Sequence, residues 1–259
     1  MNIYQALVLG IVEGLTEFLP ISSTAHLIFA SNLLKIAQSD FIKLFEVFIQ
    51  AGAILSVIIL YAKYIFQHAK IAKKVIVSFI PTAIIGFLLY KIIKVYFFEN
   101  YFLITCMFIL VGLVFIAIEF LIKKKKLKLD KQLSKTTFFH ALIIGLAQSL
   151  AVIPGVSRSG IVMVAMMSLG YVRKESAIYS FLLAIPTIIA ASFYDLYKSR
   201  DIISLDYENI MLLTIGFISA FITAYISMKW FISFLQNNTL MKFAWYRILL
   251  GIILFVVNR

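Results

Sequence analysis

The sequence predicts an all-α integral membrane protein made of two inverted repeats, each a re-entrant helical hairpin followed by three transmembrane helices. Three observations carry that expectation. The chain of 259 residues is 63% hydrophobic, with a mean hydropathy of +1.01, whereas soluble domains are about half apolar. Its apolar runs follow one order twice: a short run, a polar corner at a proline, a second short run, then three longer runs. A unit that crosses three times enters its second copy upside down, the arrangement in which broken helices of two halves meet near the membrane midplane.

The first short run, Ile3–Leu19, contains Glu13 and Glu17 and ends at Pro20. Ser22, Ser23 and Thr24 form the corner, and Ala25–Leu34 is the second short run. Neither run offers a comfortable span of about 20 apolar residues, so the pair reads as a hairpin. Phe41–Tyr61, with Glu46 and Gln50 in it, Val75–Ile93 and Phe102–Ile122 are each long enough to cross. A basic loop then runs from Lys123 to Lys135.

The pattern restarts with Phe138–Ile153, which ends at Pro154. The corner Gly155-Val156-Ser157-Arg158-Ser159-Gly160 leads into a short run, Ile161–Leu169. Ser176–Tyr194, Ile210–Met228 and Phe243–Val257 are the three spans of this half. A weak echo links the halves. Gly10 to Glu13 aligns with Gly145 to Gln148, and with one gap Pro20 to Ser23 aligns with Pro154 to Ser157. The whole chain is one membrane domain, with repeat one at about 1–122, the loop at 123–135 and repeat two at about 136–259.

The net charge is +12. The lysines cluster between apolar runs, so topology and anionic headgroups account for them better than nucleic acid does. One side of the membrane collects Lys63, Lys70, Lys73, Lys74, the basic loop, Arg173, Lys174 and Lys229. The other collects Lys35, Lys43, Lys91, Lys94, Lys198 and Arg200, with Asp195, Asp201, Asp206 and Glu208. The richer side is expected in the cytoplasm, with both termini outward. The first run has no basic flank and holds two acids, so no cleaved signal peptide is expected. The single Cys106 excludes an intrachain disulfide.

An arginine at membrane depth costs about 2.5–3.5 kcal/mol on insertion scales. Arg158, flanked by Ser157 and Ser159 and bracketed by Gly155 and Gly160, therefore points to a polar corner suited to a phosphate. Arg158 would clamp it in bidentate fashion, and the following short helix would add its positive end. Glu13 and Glu17 are four apart and share a helix face. Two carboxylates in an apolar run need a cation, an arginine or a retained proton, and Mg²⁺ or Ca²⁺ fits phosphate chemistry. Ser22, Ser23 and Thr24 are placed as helix caps, phosphate ligands or a nucleophile. His26, three residues past Ser23, is a candidate acid or base. His68 and His140 have no such neighbours and read as interfacial. Together the two corners make a plausible phosphoryl-transfer site for a substrate whose tail stays in lipid.

The stretch from Gly10 to Leu27, GIVEGLTEFLPISSTAHL, closely resembles the first signature of the bacterial undecaprenyl-pyrophosphate phosphatases of the bacitracin-resistance type. Pro154 to Gly160 resembles their second signature, and Gln50 to Ile54 and Ser180 to Pro186 also look like family segments. The resemblance implies a multi-pass plasma-membrane enzyme, dependent on a divalent cation. It would hydrolyse the C55 polyprenyl pyrophosphate to the monophosphate and inorganic phosphate, recycling the carrier used in cell-wall (peptidoglycan) synthesis. It also implies inverted repeats and a site opening to the outer face. The family's glutamates fall on Glu13 and Glu17, its proposed catalytic serine on Ser23 beside Thr24, its histidine on His26, and its phosphate-binding pair on Ser157 and Arg158. Two positions depart from the pattern: Ala25 stands where a glycine is usual, and Val162 where a threonine is usual. The second departure removes a hydroxyl contact to phosphate.

The rival expectation is a transporter or flippase of a phosphorylated polyprenyl lipid, because inverted repeats with broken helices are equally typical of transporters. A purely structural scaffold leaves Arg158, Glu13 and Glu17 unexplained. The expected partner is the membrane lipid substrate, and exposed apolar helices permit a homodimer.

Overall fold

The computed structural model describes residues 1–37, 39–92, 100–199 and 207–257. Its described part is α-helical. The helices are α1 (Ile3–Thr16), α2 (Ser23–Leu33), α3 (Asp40–Gln67), α4 (Ala69–Ile92), α5 (Tyr101–Lys123), α6 (Phe138–Gln148), α7 (Arg158–Ser168), α8 (Arg173–Ser199), α9 (Tyr207–Asn237) and α10 (Met241–Val257). A 3-10 turn, Ser149–Val152, extends α6. Among the described residues five helices, α3, α4, α5, α8 and α9, are long and apolar enough to cross a membrane. At 17 residues, α10 reaches about 26 Å, just short of the hydrocarbon thickness. Of the charges weighed for orientation, Lys94, Arg200, Asp201 and Asp206 lie outside the described residues.

Several helices outrun the apolar stretches that announced them. α3 continues past Tyr61 to Gln67, and α9 continues past Met228 to Asn237. Hydropathy marks where hydrocarbon ends. The backbone hydrogen-bond ladder ends only where a cap or breaker stops it. Ser39 caps α3 by accepting from the Ile42 N–H, and Asn2 and Gln5 form a reciprocal capping box on α1.

The packing crosses between the halves. α1 lies along α9, and α6 lies along α4. Gly10 and Gly14 of α1 press directly on Gly216 and Ala220 of α9, with no room for a side chain on either. Such small-residue contacts let membrane helices approach closely and gain dispersion energy. Hydroxyls stitch both contacts. Ser227 of α9 donates to the Leu15 carbonyl of α1 at 3.1 Å. Ser78 and Thr82 of α4 donate to the Ala141 and Gly145 carbonyls of α6 at 2.7 and 3.1 Å. The short helices also keep a constant offset: Ile3 to Phe138 and Ser23 to Arg158 are both 135 residues apart. No gap is therefore needed between Gly10 and the second corner. At that offset Ser22 falls on Ser157 and Glu13 on Gln148.

A second pin ties one end of the bundle. Arg173, at the start of α8, grips both oxygens of the buried Glu119 on α5, with Nε at 2.8 Å from Oε1. Oε1 also accepts from the Leu240 N–H just before α10, at 2.8 Å. Arg173 is thus a paired structural group as well as a basic-side charge. Large apolar side chains such as Phe87, Leu88, Phe139 and Ile253 point outward, as helices in contact with lipid tails require.

Candidate active site

Each hairpin turns at a serine with positive φ. Ser22 has φ 67° and ψ 93°, and Ser157 has φ 74° and ψ 109°. Non-glycine residues rarely adopt such angles, and they concentrate where the surroundings over-determine the backbone. The hydroxyls behave differently. Ser157 Oγ caps α7 by accepting from the Gly160 N–H at 3.2 Å. Ser22 makes no side-chain cap to α2. Gly155 has φ 93° and lies directly against the Ile104 carbonyl, so a side chain there would be both strained and obstructed.

The two corners touch. Ser159 Oγ donates to the Leu19 carbonyl at 2.8 Å. Arg158, the first residue of α7, donates from Nη2 to Glu17 Oε1 at 3.0 Å and from Nη1 to the Ser180 carbonyl of α8 at 2.9 Å. Its Nε is buried without a partner. The other oxygen of Glu17 accepts a short hydrogen bond from the hydroxyl of Ser23. Arg158, Glu17 and Ser23 are thus one connected unit, buried apart from a small opening at the arginine.

Glu13 sits one turn before Glu17 on the same face and is fully buried. Glu17 is its polar side-chain neighbour, and no N–H or hydroxyl of the described residues donates to either oxygen. The charges whose fields reach it are Glu17, Glu46 and Arg158. A buried carboxylate without a donor is costly unless something cationic or a proton joins it. In the second half the corresponding Gln148 is neutral, and its amide donates to Thr82 and Thr187 at 2.9 and 3.2 Å. The acids come from one half and the arginine from the other.

Not every expected residue converges. His26 does not hydrogen-bond to Ser23. Its Nδ1 lies 2.8 Å from the Ser22 carbonyl, and its Nε2 lies 2.6 Å from Tyr246 Oη. The helical step from Ser23 to His26 turns the imidazole toward α10 and away from the hydroxyl. Ser159's hydroxyl and Gly160's N–H are taken up inside the protein. Gly160 itself packs against Phe115, where small size is what counts. Thr24 is half-buried on the first turn of α2, and Val162 is fully buried among apolar side chains. His140 Nδ1 meets Tyr171 Oη at 2.7 Å, and His68 ends α3 in the open.

Arg247 escaped the sequence reading, which took Phe243–Val257 as a plain span. It is the largest fully buried side chain in the described structure. Nη1 donates to the Pro20 carbonyl at 3.2 Å, Nη2 to the Gly155 carbonyl at 2.6 Å, and Nε to the Phe108 carbonyl at 3.0 Å. The Phe108 ring also lies 4.5 Å beneath the guanidinium. One fork thus holds both corners by their backbones. The signal was present: an arginine in an apolar helix is a functional-site candidate wherever it occurs. An apolar recess of about 140 Å³, bounded by Tyr64, Ile71, Val75, Leu182 and Pro186, lies elsewhere and shares no residue with the corners.

The family model described as "Bacitracin resistance protein BacA" matches residues 6–253. A protein named undecaprenyl-diphosphatase from Sulfurihydrogenibium sp. (strain YO3AOP1) is 46% identical over 257 residues, covering 99% of each chain. Proteins of the same name from Aquifex aeolicus (strain VF5) and Wolinella succinogenes are 46% and 47% identical, covering 98% of this chain and 97% of their own. With nearly the whole length matched at such identity, and with both corners inside the match, the chain belongs to the bacitracin resistance protein BacA family.

Proposed function

We propose that this chain hydrolyses undecaprenyl pyrophosphate to undecaprenyl phosphate and inorganic phosphate at the bacterial plasma membrane. It thereby recycles the lipid carrier of cell-wall synthesis and confers resistance to bacitracin. Family membership and the shared name of its full-length relatives support the substrate. The observation that carries the chemistry is the Ser23–Glu17–Arg158 junction: a hydroxyl bonded to a carboxylate, with a guanidinium beside it.

Arg158 holds the pyrophosphate and Glu17 is its partner in the free site. An arriving phosphate exchanges with Glu17 on the guanidinium, and the freed carboxylate then takes the Ser23 proton. Ser23 Oγ attacks the terminal phosphorus, the bond to the bridging oxygen breaks, and the lipid monophosphate leaves. Water then cleaves the phosphoserine to release inorganic phosphate. This assigns the base toward Ser23 to Glu17, where the sequence had offered His26. His26, the other candidate acid or base, is held between the Ser22 carbonyl and Tyr246 Oη in the free site. In the alternative within the same class, water attacks directly and Ser23 orients the phosphate. A Ser23→Ala protein retaining most of its activity would rule out the covalent route.

Glu13 suits a divalent cation. Its buried oxygens are hard ligands of the type that Mg²⁺ or Ca²⁺ takes. Among the described residues no cluster of three or more His, Cys, Asp or Glu side chains stands ready for a metal, so Glu13 and Glu17 would hold it together with the substrate. When bound, the ion neutralises charge on the pyrophosphate.

The constant 135-residue offset and the reciprocal α1–α9 and α4–α6 packing support two inverted repeats within one membrane domain, with α1–α2 and α6–α7 as re-entrant hairpins. The site opens to the outer face, with the basic loop in the cytoplasm. A transporter needs a phosphate clamp but no carboxylate-bonded hydroxyl, which favours hydrolysis. Phosphate release from polyprenyl pyrophosphate by the purified protein, with Mg²⁺, with EDTA and with Arg158→Ala, tests the reading. Cation-dependent release that collapses in Arg158→Ala is expected. A folded protein that binds the lipid and releases nothing would sink it.

A further inference from the structure

The turn between α3 and α4 is a single residue. α3 ends at Gln67, His68 breaks the helix, and α4 begins at Ala69. Both helices are long and apolar enough to cross a membrane, so a turn this tight sits at one membrane surface. Beneath it the two helices and α8 bound the apolar recess of about 140 Å³. Tyr64 lines it from α3, Ile71 and Val75 from α4, and Leu182 and Ile185 from α8. Ile71, Val75 and Leu182 form a buried floor, whereas Ile76 at the edge is 52% exposed. The recess therefore opens beside Ile76, toward the lipid tails. Leu182 lies nine residues into α8, about 14 Å along it, a depth that acyl chains occupy.

Water gains little there. The lining offers almost no polar surface, and dry cavities of similar size take up small apolar molecules. Left empty, the lining forfeits dispersion contacts on one side. The volume suits part of one acyl chain rather than a long polyprenyl tail.

The rim has the opposite character. Lys70, Lys73 and Lys74 alternate with lining residues over the first two turns of α4, and Lys63 precedes Tyr64 on α3. Lys63, Lys70 and Lys73 are exposed, and Lys74 is half-buried. Among the described residues no carboxylate pairs with any of the four. Glu175 is the acid whose charge reaches Tyr64, and its carboxylate already accepts from the Leu133 N–H at 3.1 Å. The rings of Tyr64 and His68 stack at 4.2 Å beside the turn, where amphipathic rings settle among headgroups.

We propose that this recess and its lysines form a binding site for an anionic phospholipid. One acyl chain enters between α3 and α4 against α8, and the phosphate rests on the lysines of the α3–α4 turn. Charge selects the headgroup. Each lysine near a membrane surface attracts anionic lipid, whereas a zwitterionic headgroup brings no net charge to four unpaired cations. The inference stands apart from the catalytic reading, since no residue of either corner lines the recess.

The test counts lipids on the purified protein in neutral detergent by native mass spectrometry, with dioleoyl phosphatidylglycerol or dioleoyl phosphatidylcholine added. The wild type should hold one phosphatidylglycerol about tenfold more tightly than phosphatidylcholine. Ala72→Trp, at a residue lining the recess, should fill it and lose that tight site. Lys70→Gln, Lys73→Gln and Lys74→Gln together should leave the two lipids bound alike. Ile76→Trp, at the exposed mouth, is the second blocking variant should Ala72→Trp fail to fold. Equal binding of both lipids by the wild type would overturn the proposal. So would a preference that survives loss of the three lysines, or phosphatidylglycerol held undiminished by the folded Trp variants. Tighter binding of polyprenyl phosphate than of phosphatidylglycerol, lost in the same variants, would give the recess to the reaction's own lipid and overturn it too.

Discussion

The guanidinium of Arg158 and the carboxylate of Glu17 lie 3.0 Å apart although 141 positions separate them in the chain. One comes from the first residue of α7 and the other from the residue that caps the C-terminal end of α1. Each helix pair alone would leave a buried charge without its partner. Each supplies what the other lacks, so the site exists only once both hairpins have docked.

Arg158 makes two directed contacts, to Glu17 and to the Ser180 carbonyl. Lysine keeps the charge but offers no planar fork. Arg158→Lys should therefore lower phosphate release by about 10- to 100-fold, the range for losing a hydrogen bond to a charged group. Initial rates at saturating cation check this. Rates within twofold of wild type would show that only charge is needed.

Glu13 gives a prediction with two opposite signs. Its carboxylate is buried without a donor, so Glu13→Gln removes a destabilising group and should leave the melting temperature in detergent unchanged or higher. The same change should raise the Mg²⁺ concentration needed for half-maximal phosphate release by about tenfold or more, since a hard oxygen ligand is lost. A Glu13→Gln protein that melts lower and titrates with Mg²⁺ like the wild type would contradict both halves.

Arg247 predicts a different pattern. Removing it leaves the buried carbonyls of Pro20, Gly155 and Phe108 without their shared donor. Each unsatisfied buried group costs about 1–3 kcal/mol. Arg247→Met should lower stability by several kcal/mol and reduce activity in parallel. Arg247→Lys should recover part of both, because one ammonium cannot span all three carbonyls. Thermal unfolding and phosphate release on the same samples provide the comparison; a stable but inactive Arg247→Met protein would instead place the arginine on the substrate.

The α1–α9 contact is tested at Gly14. A side chain there meets the Ala220 carbonyl and the Ala224 N–H directly, both backbone groups that cannot swing aside. Gly14→Leu should separate α1 from α9 and prevent stable folding, whereas Gly86→Leu, at a glycine with open space around it, should fold and melt like the wild type. Gel filtration in detergent and thermal melts distinguish the two, and an undisturbed Gly14→Leu protein would refute the close packing.

The helices, the two corners and most of the polar residues were legible in the linear order of residues. Hydrocarbon runs need intrahelical hydrogen bonding, and proline or glycine with hydroxyls marks where it stops. The acids at Glu13 and Glu17 and the cation at Arg158 stood out because burying a charge in lipid is costly without a reason. The partners were another matter. Periodicity placed His26 one turn from Ser23, but the handedness of α2 sends the imidazole to Tyr246, 220 residues on, while the turn between α1 and α2 folds Ser23 back on Glu17. Arg247 stood in plain view in the last apolar run, yet what it holds, the carbonyls of Pro20 and Gly155, is set by how α10 lies against α5 and the two hairpins. Which segments are helical and which groups are too polar to ignore follow from local transfer energies and backbone geometry, and both are readable along the chain. Helix packing settles which carboxylate meets Arg158 and which carbonyls Arg247 braces, because these contacts join residues 92 to 227 positions apart and no local pattern encodes them.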